Sequence, residues 1–368
     1  MRFLHTADWH LGKIVNEYSM IEEQRMMLSQ IIELAKQEQV DTIVMAGDLY
    51  DRSLPSKEAV NLLNETINKL HENQLTLLAI AGNHDSPIRV QYASDLLRSS
   101  NIFLAGDPEI QKVSLGDTDF YLIPYADHLV IKAMLDDPGI TNLEKALEAQ
   151  LNTLKLDPNR QNVAIYHGYV IKGSQSLIES DSERPLSIGT TEFVDYSLFK
   201  DFDYVALGHL HVPQKVGSDR INYSGSILKY SKSETKQMKA VKIVDLENHQ
   251  LSVKEIQLLP PRDMVVLKGS FEELMKSESS DYVFIELTDS NMVIEAMNRL
   301  KKRYPYAMGL EYLSLAKSNN QAFMSNQISD SFNLPELFQS FYEHYQEKPL
   351  SEDQQAIINE VIKESEGE

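Results

Sequence analysis

Asp8-Trp9-His10, Gly47-Asp48, Gly82-Asn83-His84-Asp85, His167 and Gly208-His209-Leu210-His211 are short polar motifs, and each follows an apolar, β-branched run. Aspartate oxygens, an amide carbonyl and imidazole nitrogens form a hard-to-borderline donor set without sulfur. That set suits Mn, Fe(II), Zn or Mg. Asp8, His10, Asp48, Asn83, His167, His209 and His211 supply seven ligands. With one carboxylate shared, they fill two four-ligand shells around a pair of divalent ions and leave positions for water and a phosphate ester. Two cations about 3.5–4 Å apart acidify a water between them and neutralise charge on the phosphoryl oxygens during attack. His84 need not bind metal. Beside Asn83 it is placed to stabilise the transition state or to protonate the leaving oxygen, with Asp85 as a candidate to orient it.

Any one motif is weak, because Gly-Asn and Gly-Asp often only mark turns. The ordered set, each member at a strand end, carries the argument. Five of the ten histidines fall inside it. His128, His249 and His344 read as surface or structural residues, and His5 as a packing or hydrogen-bonding residue of the first strand.

The motifs need strands to hold them. Arg2–Ala7, Thr42–Ala46, Leu75–Ala81, Phe120–Ile123, Val163–Tyr166, Tyr204–Leu207 and Ile221–Ser224 read as strands. Residues 20–38 read as a helix with Leu28, Ile31, Ile32 and Ala35 on one face, and residues 57–72 as another with Val60, Leu63, Ile67 and Leu70 in register. This alternation predicts an α/β layered domain. In such domains ligands bind beyond the carboxyl ends of the strands, so the motifs are expected to meet at the edge of one sheet. Residues 240–258 alternate apolar and polar as a hairpin does, and Pro260-Pro261 marks a boundary. Beyond it, strands at 264–267, 282–287 and 310–315 and helices at 271–276 and 291–303 predict a small α/β module. Residues 316–333 read as a polar linker. Two amphipathic helices then close the chain, the second opened by Ser351 and Gln354 as a capping box.

The 368 residues are 42% hydrophobic, enough for a packed interior and for more than one domain. No apolar run approaches the roughly 18 residues of a membrane span, and the opening residues lack the pattern of a signal peptide. With no cysteine there is no disulfide framework and no thiolate ligand. Cytoplasmic residence is the expectation. The formal charge of -20 sits awkwardly with a polyanionic substrate. Contact is then confined to a small cleft, or a partner supplies the basic surface, or the acidity serves only solubility.

The motifs resemble those of the calcineurin-like metallophosphoesterases. Within them HTADWHLGK (5–13), AGDLYD (46–51), AGNHDS (81–86), DSERPLSIGT (181–190), LGHLHVPQ (207–214) and YSGSILKYS (223–231) resemble the SbcD family of nuclease subunits, as does the tail LPELFQSFYEHYQEKPLSEDQQ. The resemblance implies a layered metallophosphoesterase β-sandwich flanked by helices, with a small α/β capping domain and C-terminal helices. The division implied is 1–260 for the nuclease domain, 261–320 for the capping domain and 321–368 for the linker and the helices that dock the partner. It implies one ion on Asp8, His10 and His211, the other on Asn83, His167 and His209, Asp48 bridging, and His84 as the catalytic histidine. It further implies manganese as the activating ion and cleavage of DNA ends (3'-5' exonuclease), single strands and hairpins (endonuclease). The partner implied is an SbcC-type coiled-coil ATPase, with a homodimer inside a heterotetramer. One departure stands out: Tyr166 precedes His167 where the family commonly has Ser. The basic cluster Arg299, Lys301, Lys302 and Arg303 is either a phosphate contact or a solvated helix end. The rival readings are a small-molecule phosphodiesterase or phosphatase on the same scaffold, and a non-catalytic DNA-end scaffold, which has no need of His84.

Overall fold

The computed structural model describes residues 1–173, 175, 177–184, 186, 193–314, 339, 342, 349–351, 354 and 355. Strands β1 (Arg2–Thr6), β2 (Thr42–Met45), β3 (Thr76–Ile80) and β4 (Ile102–Ala105) lie parallel in that order. Between them lie α1 (Ile21–Gln37), after β1, α2 (Lys57–Glu72), after β2, and two short helices, Pro87–Gln91 and Ser94–Leu97, after β3. A second sheet follows: β5 (Gln111–Leu115), β6 (Thr118–Ile123), β7 (Gln161–His167), β8 (Tyr204–Gly208), β9 (Gln214–Lys215) and β10 (Ile221–Tyr223). The hairpin β11 (Ala240–Glu247) and β12 (Gln250–Gln257) then returns to the first sheet, with β11 antiparallel to β1. The orders are β12-β11-β1-β2-β3-β4 and β9-β10-β8-β7-β6-β5.

The two sheets pack face to face. Phe3, Val44, Leu78, Ile80 and Val244 from the first meet Phe120, Leu122, Val163, Ile165, Tyr204 and Ala206 from the second. Phe3 sits edge-on to Phe120 and Tyr204 at 5.4 and 5.7 Å. Alternate residues point the other way. Leu4, Ile43 and Leu77 pack with Leu28, Ile31 and Leu62 of α1 and α2. Strands buried on both faces need apolar residues at successive positions, which explains runs such as TIVMA and LLAIA. The expected stripe on α1 is buried as predicted. On α2 the buried stripe is Ala59, Leu62, Leu63, Thr66 and Leu70. Of the expected residues Leu63 and Leu70 are buried and Ile67 packs partly buried against the core, while Val60 is 45% exposed.

A third, parallel sheet comprises β13 (Met264–Gly269), β14 (Tyr282–Leu287) and β15 (Ala307–Tyr312). Phe271, Val283, Ile285, Leu300 and Tyr304 form its own core. Met264, Tyr282, Phe284 and Met308 pack instead with the helix side of the first sheet. The helix expected over 291–303 is Ala296–Leu300 only, since Glu295 takes a left-handed backbone. The Arg299 guanidinium stacks 4.3 Å over Phe271, while Lys301 and Lys302 are exposed past the helix end. Ser351 and Gln354 exchange the two bonds of the expected capping box. The expected linker and the rest of both closing helices lie outside the described residues, as does His344.

Candidate metal centre

The motifs converge at the carboxyl ends of strands from two sheets, not one. Asp8, Asp48 and Asn83 follow β1, β2 and β3, whereas His167 ends β7 and His209 and His211 follow β8. The expectation of one sheet is therefore corrected. The alternation of strand and helix does not reveal that the chain crosses to a second layer after β4.

Polar ligands buried this deeply need a sharp exit from each strand. Asp8, His10, Asp48 and His209 all have positive φ (52°, 46°, 57° and 109°), an unfavourable region for residues with a Cβ. Strain gathered on four predicted ligands marks a site held by its surroundings. The glycines of the motifs are there for room. A Cβ on Gly82 would lie 2.2 Å from Asp48 Oδ1, and one on Gly47 would lie 2.3 Å from His167 Nδ1.

Asp48 is the hub. Its Oδ1 accepts the His84 backbone N–H at 2.9 Å. Its Oδ2 lies 3.4 Å from His167 Nε2, 3.6 Å from His10 Nε2 and 4.0 Å from His84 Nε2. One oxygen among three imidazoles is the arrangement expected of a shared ligand. Three overlapping, buried sets of side chains could each hold an ion: Asp8, His10 and His211; His10, Asp48 and His84; and Asp8, Asp48 and His167. Asn83 joins through Oδ1, 2.9 Å from His167 Nε2. The His209 ring lies 5.6 Å from that of His167, and its backbone N–H donates to Asp8. The structure thus brings all eight sequence-predicted residues into one cluster.

The tautomers follow from the hydrogen bonds. Carbonyl oxygens only accept, so His167 Nδ1–H donates to Ala46 O (2.9 Å) and His84 Nδ1–H to Asp51 O (2.8 Å). Each Nε2 is thereby turned toward Asp48. His10 Nε2 and His211 Nε2 stand 3.1 Å apart. Two imidazoles on one ion with bonds of about 2.1 Å and a right-angled bite stand about 3.0 Å apart, so the pair fits a shared cation. Among the described residues His10 Nδ1 is buried without a hydrogen-bond partner. The residues present fit a divalent metal pair.

Burial dominates the electrostatics. It pushes Asp8 up to about 7 and holds His10 and His209 well below the ordinary histidine value. Burial also opposes charge on Asp48 and His167, but their mutual attraction outweighs it. Asp48 is held well below the carboxylate range and His167 rises to about 9. His84 is lowered, again chiefly by burial.

Other expectations meet different outcomes. Asp85 does not orient the His84 ring. Its carboxylate accepts the backbone N–H groups of Leu49, Tyr50 and Gly82, and the ring is oriented by Asp51 O. His5 is a structural residue: Nε2–H donates to Leu207 O (3.1 Å) and Nδ1 accepts from the Tyr204 hydroxyl (2.9 Å). His249 pairs with Asp203 at the surface. Sequence reasoning missed Asp51, Ser182, Glu183, Glu234 and Lys239, which surround the ligands. Asp51 stands inside the quoted GDLYD motif, whereas nothing in the spacing of Glu234 and Lys239 singles them out.

Residues 1–213 match the calcineurin-like phosphoesterase family, and residues 260–346 match a type 5 capsule protein repressor C-terminal domain. The class is that of a calcineurin-like phosphoesterase, which uses divalent metals. The SbcD component of the SbcCD nuclease from Staphylococcus saprophyticus subsp. saprophyticus is 41% identical over 320 residues, covering 84% of each chain. Its counterpart in the SbcCD nuclease from Staphylococcus epidermidis is 35% identical over 373 residues, covering 98% of each. Among solved structures, a dimetal phosphatase from Danio rerio superposes with a TM-score of 0.46 at 12% identity, over 71% of this chain and 97% of that one. The chain belongs to the SbcD family of calcineurin-like phosphoesterases. No helix among the described residues is long and apolar enough to cross a membrane.

Proposed function

We propose that this chain is the metal-dependent nuclease subunit of an SbcCD-type complex and hydrolyses DNA phosphodiester bonds at ends, in single strands and in hairpins. The observation that carries the reading is Asp48 Oδ2 among the Nε2 atoms of His10, His84 and His167. In it Asp8, His10 and His211 hold one ion, Asn83, His167 and His209 the other, and Asp48 bridges. Manganese is the proposed ion on the family resemblance, the donor set itself suiting Mn, Fe(II), Zn or Mg. When bound, the pair supplies Lewis acidity, neutralising the phosphoryl oxygens and acidifying water beside them.

The chain's own groups do the rest. Asp51 O holds a His84 proton on Nδ1, and burial disfavours a second proton on Nε2. A proton drawn from solvent onto that nitrogen would pass to the leaving oxygen as its bond to phosphorus breaks. Asp85 fixes the Gly82 and Leu49–Tyr50 loops to each other, so Asn83 and Asp48 keep their separation as substrate enters.

The division proposed is 1–260 nuclease, 261–320 capping and 321–368 linker and helices that dock the coiled-coil ATPase. A homodimer within a heterotetramer is part of the reading. Ile88, Tyr92 and Leu96, each at least 78% exposed after the 82–85 loop, offer apolar area for it. Cytoplasmic residence suits a chain without cysteine.

The test incubates the purified chain with labelled duplex, hairpin and single-stranded DNA, and with a chromogenic phosphodiester and phosphomonoester, in manganese or in chelator. The expected result is manganese-dependent cutting of DNA. Intact DNA beside hydrolysed small esters would replace the reading with the phosphodiesterase or phosphatase alternative.

A further inference from the structure

His211 is gripped on every side but the one facing His10. Its backbone N–H donates to Glu183 Oε1 (2.7 Å), and its carbonyl accepts from Lys239 Nζ (2.8 Å). Its Nδ1 lies 2.8 Å from Ser182 Oγ and 3.4 Å from Glu234 Oε1. A carboxylate oxygen only accepts, and Glu234 Oε1 lies 2.5 Å from Ser182 Oγ. The single hydroxyl proton therefore goes to Glu234, and Ser182 accepts from Nδ1–H. This fixes the tautomer whose Nε2 lone pair faces His10. Glu234 is fully buried, and its Oε2 meets the buried Lys239 ammonium at 2.6 Å. A buried ion pair is a poor source of stability. This one holds the His211 ring through its carboxylate and the His211 carbonyl through its ammonium.

The turn that carries Glu234 also reaches the other way. Lys232 and Glu234 are the ends of one 3-10 turn, Lys232–Glu234. Lys232 Nζ lies 3.0 Å from Glu286 Oε1 on β14 and 2.8 Å from Glu311 Oε2 on β15. Glu286 and Glu311 stand directly opposite each other in the strand register. Like charges so placed repel, and the Lys232 ammonium offsets that repulsion. Three consecutive residues thus touch the third sheet at one end and a candidate ligand at the other.

We propose that Glu234 is the positioning residue for His211, and that the Lys232–Glu234 turn couples the ion held with Asp8 and His10 to the seating of the β13–β15 sheet. The inference rests on the two-ion reading and deepens it. Coupling of this kind is reciprocal: loosening the sheet weakens that ion, and filling the site steadies the sheet. Carboxylates that orient ligand histidines matter by about 10–100-fold in metal affinity.

The experiment titrates Mn2+ calorimetrically into the full-length chain without DNA, alongside hydrogen exchange of the β14 and β15 amides. His211→Ala identifies which of the two binding steps belongs to its site. Glu234→Gln is expected to weaken that step about 10–100-fold, to leave the other step in place and to diminish the paired-manganese magnetic resonance signal. Lys232→Met, at the surface, is expected to weaken the same step several-fold and to abolish the manganese-induced protection of β14 and β15 seen in the wild type. Wild-type affinity in Glu234→Gln would overturn the positioning role. Wild-type affinity and unchanged protection in Lys232→Met would overturn the coupling. Should Glu234→Gln not fold, Ser182→Ala carries the first half, with several-fold weakening expected and wild-type affinity overturning it. A wild-type chain that binds fewer than two ions would sink the two-ion reading itself, a result read before any variant is made.

Discussion

Asp85 and Tyr50 are joined beneath the metal centre: the Asp85 carboxylate accepts the Tyr50 backbone N–H at 2.9 Å. The same carboxylate takes the Leu49 N–H at 3.0 Å and the Gly82 N–H at 2.9 Å, so one side chain ties the loop of Asp48 to the loop of Asn83. Asp85→Asn keeps the shape but replaces one accepting oxygen with a donor. At least one buried N–H is then left unpaired, at about 1–3 kcal/mol, and the two loops lose their fixed spacing. Urea unfolding should report that loss, and manganese titration an affinity weakened about 10-fold or more. Unchanged values in both would show that the bonds do not hold the centre.

His84 tests the proton-transfer role separately from metal binding. Its ring touches Asp48 Oδ2 only at 4.0 Å, while its backbone N–H makes the shorter contact. His84→Gln should keep both ions and lose turnover by about 10²–10⁴-fold. The comparison is manganese stoichiometry against single-strand cleavage rate, and near-normal cutting would remove the residue from the reaction.

The buried His5 gives the chain an acid limb. Burial, with the Lys242 charge behind it, holds its imidazole down at about 3 against an ordinary 6.5. A base depressed in the folded state protonates first in the unfolded chain. Its contribution is therefore complete above pH 6.5 and is lost as pH falls from 6.5 toward 3. Between pH 7 and pH 5 this amounts to about 2 kcal/mol. His5→Gln should flatten the stability profile over that span, measured by urea unfolding at each pH, and an equally steep profile would assign the acid limb to other groups.

Much of this was legible in the sequence, and for one reason. Strands buried on both faces must be apolar throughout, so β1, β2, β3, β7 and β8 announce themselves and the polar residues after them are conspicuous. The hairpin of β11 and β12 reads from its alternation. Less was legible where tertiary context decides. Strand β15 begins at Ala307 rather than the expected Leu310, because Ala-Met-Gly carries little strand signal until it pairs with β14. The helices His128–Leu135 and Leu143–Leu151 were not anticipated, although Asp127 and Asn142 cap them. The crossing to a second sheet leaves no local mark. Glu234 and Lys239 belong to the centre only through folding, which places a turn more than 20 residues beyond His211 against its ring.

The closing helices carry a separate prediction. Deleting residues 330–368 should abolish binding to a coiled-coil ATPase of the SbcC type while leaving manganese-dependent cutting of single strands. Co-elution of the truncated chain with the ATPase would assign docking to another surface.

The most direct measurement is anomalous diffraction at the manganese edge from crystals grown with Mn2+, for the wild type and for Asp48→Ala. The account predicts two peaks in the wild type, one against Asp8, His10 and His211 and one against Asn83, His167 and His209, with Asp48 touching both, and loss of occupancy in the variant. A pocket without peaks in the wild type, or two full peaks in Asp48→Ala, would contradict it.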